Sequence, residues 1–125
     1  QTTSETVGTV GFCMGGQLSL YAACANSTVS ACVMFYGIHP EVHPEYDTLQ
    51  APFLGFFADN DPMVTPEDAH TLKGHLEDAG KEVTIYIYDD AEHAFFNDTR
   101  EEVYNELHAH ESWARMLKFY KKNVK

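Results

Sequence analysis

Three polar side chains of the types used in nucleophilic catalysis follow apolar segments of this chain. The first is Cys13, which lies between Gly11 and Gly15 in the sequence Gly-Phe-Cys-Met-Gly, directly after an apolar run. Glycines two residues to either side leave room for a strained turn from a strand into a helix, known as a nucleophile elbow. The positive end of that helix and its free N–H groups favour a thiolate and can hold an oxyanion. The spacing therefore predicts a nucleophilic cysteine at the tip of an elbow.

The other two chemical groups are an acid and a histidine. Asp59 and Asp61 follow a later apolar segment in Ala-Asp-Asn-Asp-Pro, and His93 follows another in Glu-His-Ala-Phe-Phe. Nucleophile, acid and histidine in this order are typical of α/β hydrolases. The histidine would accept the thiol proton and return it to a leaving group, and the acid would orient the imidazole. Asp61 precedes a proline in a turn and is the predicted acid, with Asp59 as the alternative.

Four apolar segments rich in β-branched and aromatic residues predict the strands that position these groups. They are Val7 to Phe12, Ala31 to Tyr36, Phe53 to Ala58 and Val83 to Tyr88. Their alternation with helical patterns predicts a three-layer α/β sandwich with a mainly parallel sheet of about four strands. The carboxyl ends of parallel strands meet at one edge of a sheet, so Cys13, the acid and His93 are expected to lie together there.

Three helices are predicted between and after these strands. The first covers Gln17 to Ala25, with apolar spacing at Leu18, Tyr21, Ala22 and Ala25. The second starts at Pro66 after a capping box of Thr65 and Asp68, buries Ala69, Leu72, Leu76 and Ala79, and ends at Gly80. The last begins at Asn97 or Asp98 and presents a stripe of Val103, Leu107, Trp113, Ala114 and Leu117, with Lys118, Lys121 and Lys122 towards its end.

Composition limits the classes of function. Nineteen acidic and eight basic residues give a net charge of −11, which disfavours nucleic acid and anionic membranes as partners. No apolar run is long enough for a membrane span, and the polar start lacks a signal-peptide pattern, so we expect a cytoplasmic protein. A length of 125 residues predicts a single α/β domain, residues 1–125. Three cysteines without metal-binding spacing predict reduced thiols, with Cys24 and Cys32 in the core.

A metal or phosphate site has less support. His39 and His43 lie near Glu41 and Glu45 in the unassigned segment 37–52, which would be an active-site rim or a surface connection. His108 and His110 are two apart on a predicted helix, so they point to different faces. The glycine-rich turn lacks the glycine spacing and the lysine of phosphate-binding loops. It also lacks, shortly after Cys13, the arginine that a cysteine phosphatase would need. We therefore expect no metal and no cofactor.

Together, the motifs around Cys13, Asp61 and His93 resemble the C-terminal part of the dienelactone hydrolase family, a cysteine-dependent branch of the α/β-hydrolase fold. The matching sequences are Gly-Phe-Cys-Met-Gly-Gly at 11–16, Asp-Asn-Asp-Pro-Met-Val-Thr at 59–65 and Glu-His-Ala-Phe-Phe-Asn at 92–97. The resemblance implies a truncated α/β-hydrolase fold that opens esters or enol-lactones through an acyl-enzyme. It assigns Cys13 as nucleophile, Asp61 as acid, His93 as base and the Met14 backbone N–H as an oxyanion donor.

The chain departs from that family in length. The family's domain has about a hundred further residues before this point, which supply a second oxyanion donor and a carboxylate near the thiol. Without them, the strand Val7 to Phe12 becomes an exposed apolar edge, which folded proteins avoid. We therefore predict a homodimer with the elbow near its interface. The alternative function is a catalytically silent remnant or a small-molecule binding module that keeps the elbow because the fold needs its turn.

Overall fold

The fold is described from a computed structural model, which covers residues 6–38 and 44–124. Its strands are β1 (Val7–Phe12), β2 (Val29–Phe35), β3 (Phe53–Ala58) and β4 (Val83–Tyr88). They form one sheet in the order β1-β2-β3-β4, with every neighbouring pair parallel. The predicted bounds of three strands are confirmed, and β2 begins two residues earlier than predicted and ends one residue earlier. All four strands therefore have their carboxyl ends at one edge of the sheet.

Helices cover both faces of this sheet, and the predicted three-layer α/β sandwich is confirmed. The helices are α1 (Met14–Ala25), α2 (Pro66–Asp78) and α3 (Glu106–Asn123). One core cluster joins the inner faces of α1 and α2 to the sheet, and includes Leu20, Leu72, Leu76, Phe53 and Phe57. A second cluster on the opposite face joins α3 to the sheet through Met116, Phe35, Phe56 and Phe95. The fold is that of the α/β hydrolases, in which the groups beyond the strand ends share one surface.

The start of α2 follows the sequence closely. The Thr65 hydroxyl accepts a hydrogen bond from the Asp68 amide at 3.2 Å, and the Asp68 carboxylate accepts one from the Thr65 amide at 3.1 Å. Pro66 occupies the first turn, where its missing N–H costs nothing. The predicted capping box is therefore confirmed, and it fixes where the chain turns after the Asp61 loop.

The predicted buried face of α1 is wrong. Leu18 and Tyr21 are about half exposed, whereas Leu20, Ala23 and Cys24 are buried against the sheet. The buried face also contains Ser19, whose hydroxyl donates to the Thr9 hydroxyl of β1 at 2.8 Å. Because that face includes satisfied polar groups, apolar spacing alone selected the opposite side of the helix. Cys24 and Cys32 are buried as predicted.

The prediction for the last helix is also wrong at its start and along its stripe. Residues 98–103 form turns, and α3 begins at Glu106 after Asn105, whose side chain accepts from the His108 amide. Leu107, Trp113 and Leu117 are exposed, and the buried residues of α3 are Ala109, Ser112 and Met116. Asn97 makes its side-chain bonds to Thr99 within a turn and does not cap a helix. Asn105 therefore caps α3 in place of the predicted Asn97 or Asp98.

The described part of segment 37–52 is in two pieces. Gly37 lies just beyond the carboxyl end of β2, beside Cys13. Residues 44–52 include a short 3-10 helix, Tyr46–Thr48, and the Thr48 hydroxyl donates to the Cys24 carbonyl at the far end of α1 at 2.7 Å. These later residues form a connection beside α1. His39, Glu41 and His43 lie outside the described residues.

Candidate active site

The turn between β1 and α1 holds Cys13 in a strained backbone conformation. Its φ is 55° and its ψ is −131°, values that a residue with a side chain rarely adopts. The chain is crowded around it, because a Cβ at Gly11 would lie 1.9 Å from the Gly15 carbonyl oxygen and one at Gly37 would lie 2.0 Å from the Cys13 carbonyl oxygen. Gly15 itself faces open space, so the predicted need for glycine there is wrong. Gly37, on the neighbouring strand's exit, takes its place.

The Cys13 thiol contacts the predicted histidine. Cys13 Sγ lies 3.3 Å from His93 Nε2, although the two residues are 80 positions apart in sequence. On the other side of the ring, His93 Nδ1 lies 2.6 Å from Asp61 Oδ2. The structure therefore brings the three residues together in the predicted sequence of contacts. An imidazole held in this way has one nitrogen for the carboxylate and one for the thiol.

The carboxylate of Asp61 is fixed by the loop that follows β3. Its side chain is buried, and Oδ1 accepts hydrogen bonds from the amides of Met63 and Val64 at 2.8 and 2.9 Å. Oδ2 is left for His93. In the alternative acid, Asp59, Oδ1 is buried and has no hydrogen-bond partner within the described ranges. Asp61 is thus the acid that the geometry places against the histidine.

One residue of the site was missed by the sequence analysis. Tyr36 lies directly beyond β2, is buried with a φ of 41°, and places its ring 5.0 Å from that of His93. Ala94, immediately after the histidine, also has a positive φ of 68°. Tyr36 was predicted to be the last residue of the second strand. Its position at a strand end, shared with Cys13, is the signal that could have identified it.

The protonation of Cys13 differs from expectation. Partial desolvation of the sulfur raises the pKa of the Cys13 thiol, the Asp61 carboxylate raises the pKa further, and Arg100 lowers it. The helix end and the histidine were expected to favour the thiolate, whereas burial and the Asp61 charge act on the pKa in the opposite direction. A neutral thiol 3.3 Å from an imidazole nitrogen instead requires the proton to move to His93 as the sulfur attacks.

A pocket of about 390 Å³ opens at the thiol. Its apolar wall is formed by Phe12, Tyr36 and Phe96. Each of these rings has its centroid within 6.4 Å of another of them or of the Phe35 ring. Asn97 and Asp98 also line the pocket. A larger pocket of about 490 Å³ lies between the end of α1 and the 3-10 helix, remote from His93. The first is lined by Cys13, whose sulfur contacts His93, so it is the candidate substrate site. Met14, the predicted oxyanion donor, begins α1 there, where amides lack intrahelical partners.

His108 makes contacts of a different kind. His108 Nε2 lies 3.0 Å from the Asp89 carbonyl oxygen, and its ring stacks on Tyr88. Within residues 6–38 and 44–124, no group of three or more His, Cys, Asp or Glu side chains is placed to hold a metal ion. No helix in that part of the chain is long and apolar enough to cross a membrane.

Comparison with known proteins places the chain in a defined group. The model of the dienelactone hydrolase family matches residues 1–124. "Protein usf" of Aquifex pyrophilus is 30% identical over 121 residues, which cover 96% of this chain and 52% of that protein. A "Putative carboxymethylenebutenolidase" of Salmonella typhi is 33% identical over 119 residues, which cover 88% of this chain and 44% of that protein. The chain thus spans about half the length of the curated relatives it matches.

Solved structures agree with the sequence comparison. The crystal structure of a "Putative Dienelactone Hydrolase" from Klebsiella pneumoniae superposes with a TM-score of 0.82 at 29% identity. The match covers 91% of this chain and 51% of that one. A dienelactone hydrolase-like phosphotriesterase from metagenomic libraries superposes with a TM-score of 0.86 at 21% identity, which shows a shared fold. This match covers 97% of this chain and 54% of the phosphotriesterase chain.

Proposed function

Because the chain belongs to the dienelactone hydrolase family, we propose that it hydrolyses carboxylic esters or lactones through an acyl-enzyme on Cys13. The single observation that carries the proposal is the pair of contacts that His93 makes, 3.3 Å to the Cys13 sulfur and 2.6 Å to Asp61. This arrangement supplies a nucleophile, a base and an orienting acid. The relatives named carboxymethylenebutenolidase support a lactone or ester as the substrate class.

In the proposed reaction, the Cys13 sulfur attacks the carbonyl carbon and its proton passes to His93 Nε2. The raised thiol pKa makes this transfer part of the attack. The Met14 N–H donates to the oxyanion. The C–O bond to the leaving alcohol then breaks, and the alcohol takes the proton from His93, leaving a thioester on Cys13. Water attacks the thioester with His93 as base, the acid product leaves, and the thiol regains its proton.

The test of this proposal is turnover of a small activated aryl ester by size-fractionated protein. The wild type is expected to hydrolyse para-nitrophenyl acetate above the background rate, and Cys13→Ala is expected to lose that activity. Cys24→Ala is the matched control, because it removes a buried thiol that lies outside the site. A wild-type rate equal to that of Cys13→Ala would contradict the hydrolase and favour the binding module of the same fold.

We also propose that the chain works as a homodimer that pairs along β1. This strand is one of the two edge strands of the described sheet, and Val7, Val10 and Phe12 are each at least 40% exposed. The amides of Val7 and Cys13 donate to carbonyl groups at the two ends of β2. Alternate residues of a strand point their backbone groups to opposite sides, so those of Gly8, Val10 and Phe12 point away from β2. The edge carries neither charge nor proline to block pairing.

A second copy is the proposed occupant because the exposed residues of this edge are apolar and uncharged. Other large apolar side chains are also exposed, namely Met14, Leu18 and Tyr21 of α1 and Trp113 and Leu117 of α3. Chains with a net charge of −11 repel one another, and an uncharged patch is where that repulsion is weakest. Such a patch is typical of an interaction surface.

Light scattering at micromolar concentration tests the dimer. We expect twice the chain mass for the wild type and for Leu107→Lys, which places the same charge at an exposed residue of α3 outside this surface. Val10→Lys is expected to give a monomer, because a lysine on an edge strand opposes strand pairing. A monomeric wild type, or a dimeric Val10→Lys, would contradict the proposed interface.

A further inference from the structure

The pocket beside Cys13 has a charge character that bears on substrate choice. Phe12, Tyr36 and Phe96 form its apolar wall, and Phe12 and Phe96 lie with ring centroids 5.4 Å apart. Asp98, an exposed acidic residue, is also among the residues that line this pocket. In the described part of the chain, no lysine or arginine lines this pocket. An anionic substrate group that enters it would meet a carboxylate and no opposing cation.

Arg100 is a cation whose charge reaches the thiol. Its charge lowers the pKa of Cys13, but its guanidinium is half exposed and lies 3.3 Å from the Glu102 carboxylate. That ion pair offsets much of its attraction for a further anion. Asp98, by contrast, is in no ion pair among the described residues. Among the described residues that line the pocket, Asp98 is therefore the one with a charged side chain.

We propose that this site takes esters whose acyl group is uncharged and aromatic or apolar, and that Asp98 excludes substrates that carry a carboxylate. This inference rests on the proposed hydrolase and names its substrate class. It sets the chain apart from the relatives named carboxymethylenebutenolidase, since that name describes a lactone bearing a carboxyl group. The aromatic wall supplies the attraction, because burying apolar surface against Phe12 and Phe96 favours binding.

A pair of esters of equal shape and different charge tests the inference. The para-nitrophenyl esters of para-carbamoylbenzoate and para-carboxybenzoate are compared by kcat/KM, each corrected for its rate with hydroxide. We expect the neutral ester to be preferred by about fivefold or more, the effect of one nearby like charge at a wet surface.

The variant Asp98→Asn assigns the effect to one side chain. It is expected to reduce the preference by about threefold, and higher salt is expected to reduce it in the wild type by screening the charge. Glu82→Gln is the matched control, because it makes the same change of net charge at a residue before β4, at the opposite end of the strands. Faster turnover of the carboxylate ester, or a preference that Asp98→Asn leaves unchanged, would overturn the inference.

A second measurement needs no turnover and separates this inference from the proposed hydrolysis. Iodoacetamide and iodoacetate are a neutral and an anionic reagent that alkylate the Cys13 sulfur with loss of iodide. Their rates at Cys13, followed by peptide mass and divided by the rates at N-acetylcysteine amide, are expected to favour iodoacetamide in wild type and less so in Asp98→Asn. If neither ester is hydrolysed but this preference holds, the hydrolase fails and the anion-excluding pocket stands. Equal normalised rates, or no alkylation of Cys13, would contradict the pocket itself.

Discussion

The variant Asp61→Asn separates two roles of this side chain, which orients His93 for catalysis and holds the loop after β3 by hydrogen bonds. Asp61 Oδ1 accepts from the amides of Met63 and Val64, and Oδ2 contacts His93 Nδ1. In Asp61→Asn the remaining oxygen must face the two amides, because an NH₂ group there would oppose two donors. The new NH₂ group then faces His93 Nδ1 and donates to it. The imidazole must therefore carry its hydrogen on Nε2, the nitrogen that faces the Cys13 sulfur, and cannot accept the thiol proton.

The expected effects on activity and stability differ in size. A histidine in the wrong tautomer lowers kcat by about 10³- to 10⁴-fold in triads of this kind, or about 4 to 5.5 kcal/mol in the activation barrier. The fold loses less. The hydrogen bonds from Met63 and Val64 remain but no longer reach a charged acceptor, which costs about 1 kcal/mol each, or about 2 kcal/mol in the free energy of unfolding. For a chain of this size, that lowers Tm by about 8 °C. The variant is expected to be folded and inactive.

Ester turnover and thermal unfolding measured on the same samples test this prediction. Asp59→Asn is the matched control, because it removes the same charge two residues away from the acid that contacts His93, and it is expected to keep most of the wild-type rate. If Asp61→Asn keeps more than about a tenth of the wild-type kcat, the tautomer of His93 does not limit catalysis. If Asp59→Asn is the inactive variant, the orienting acid has been assigned to the wrong residue.

Three further predictions concern the backbone and the thiols. Gly37→Ala places a Cβ 2.0 Å from the Cys13 carbonyl oxygen and is expected to lower both Tm and ester turnover. Gly74 lies in α2 with open space around it, so Gly74→Ala is expected to raise the free energy of unfolding in denaturant by about 0.5 to 1 kcal/mol. The pH profile of Cys13 alkylation is expected to have its midpoint above that of a free cysteine, since its pKa is raised; a midpoint at or below that value would contradict the desolvated thiol. Burial raises the pKa of Cys24 to about 11 and that of Tyr88 to about 12, so the folded state holds protons that the unfolded state releases. The free energy of unfolding, measured in urea, is therefore expected to fall as pH rises from about 8.5 to about 11. A constant free energy of unfolding over that range would be inconsistent with the raised pKa values.

The strands and the contacts of the site could be predicted because each has a local signal. Apolar runs bounded by turn residues marked β1, β3 and β4 to the residue, and the capping box marked the start of α2. The chemical groups were found at positions beyond the strands, because a parallel sheet brings those positions together whatever their separation in sequence. This is why His93 could be placed beside Cys13 across 80 residues.

The remaining features depend on contacts between distant segments. The inner face of α1 includes Ser19, which is buried only because the Thr9 hydroxyl of β1 satisfies it. Asn97 and Asn105 are both residues that can cap a helix. Asn97 bonds to Thr99 within a turn, so α3 begins only after Asn105. Glycine is required at position 37 because the Cys13 carbonyl, in the turn after β1, lies against it. The raised pKa of Cys13 arises from packing and from Asp61 together, so elbow geometry alone predicted the wrong direction.

The formation of a thioester on Cys13 is the most direct test of the proposed hydrolase. Wild-type protein would be mixed with para-nitrophenyl acetate, quenched in acid during turnover and analysed by intact and peptide mass, with Cys13→Ala alongside. We expect one added acetyl group on the peptide that contains Cys13, formed at a rate compatible with product release and absent from the variant. Ester turnover without that adduct, or with equal rates in wild type and Cys13→Ala, would contradict an acyl-enzyme on this cysteine.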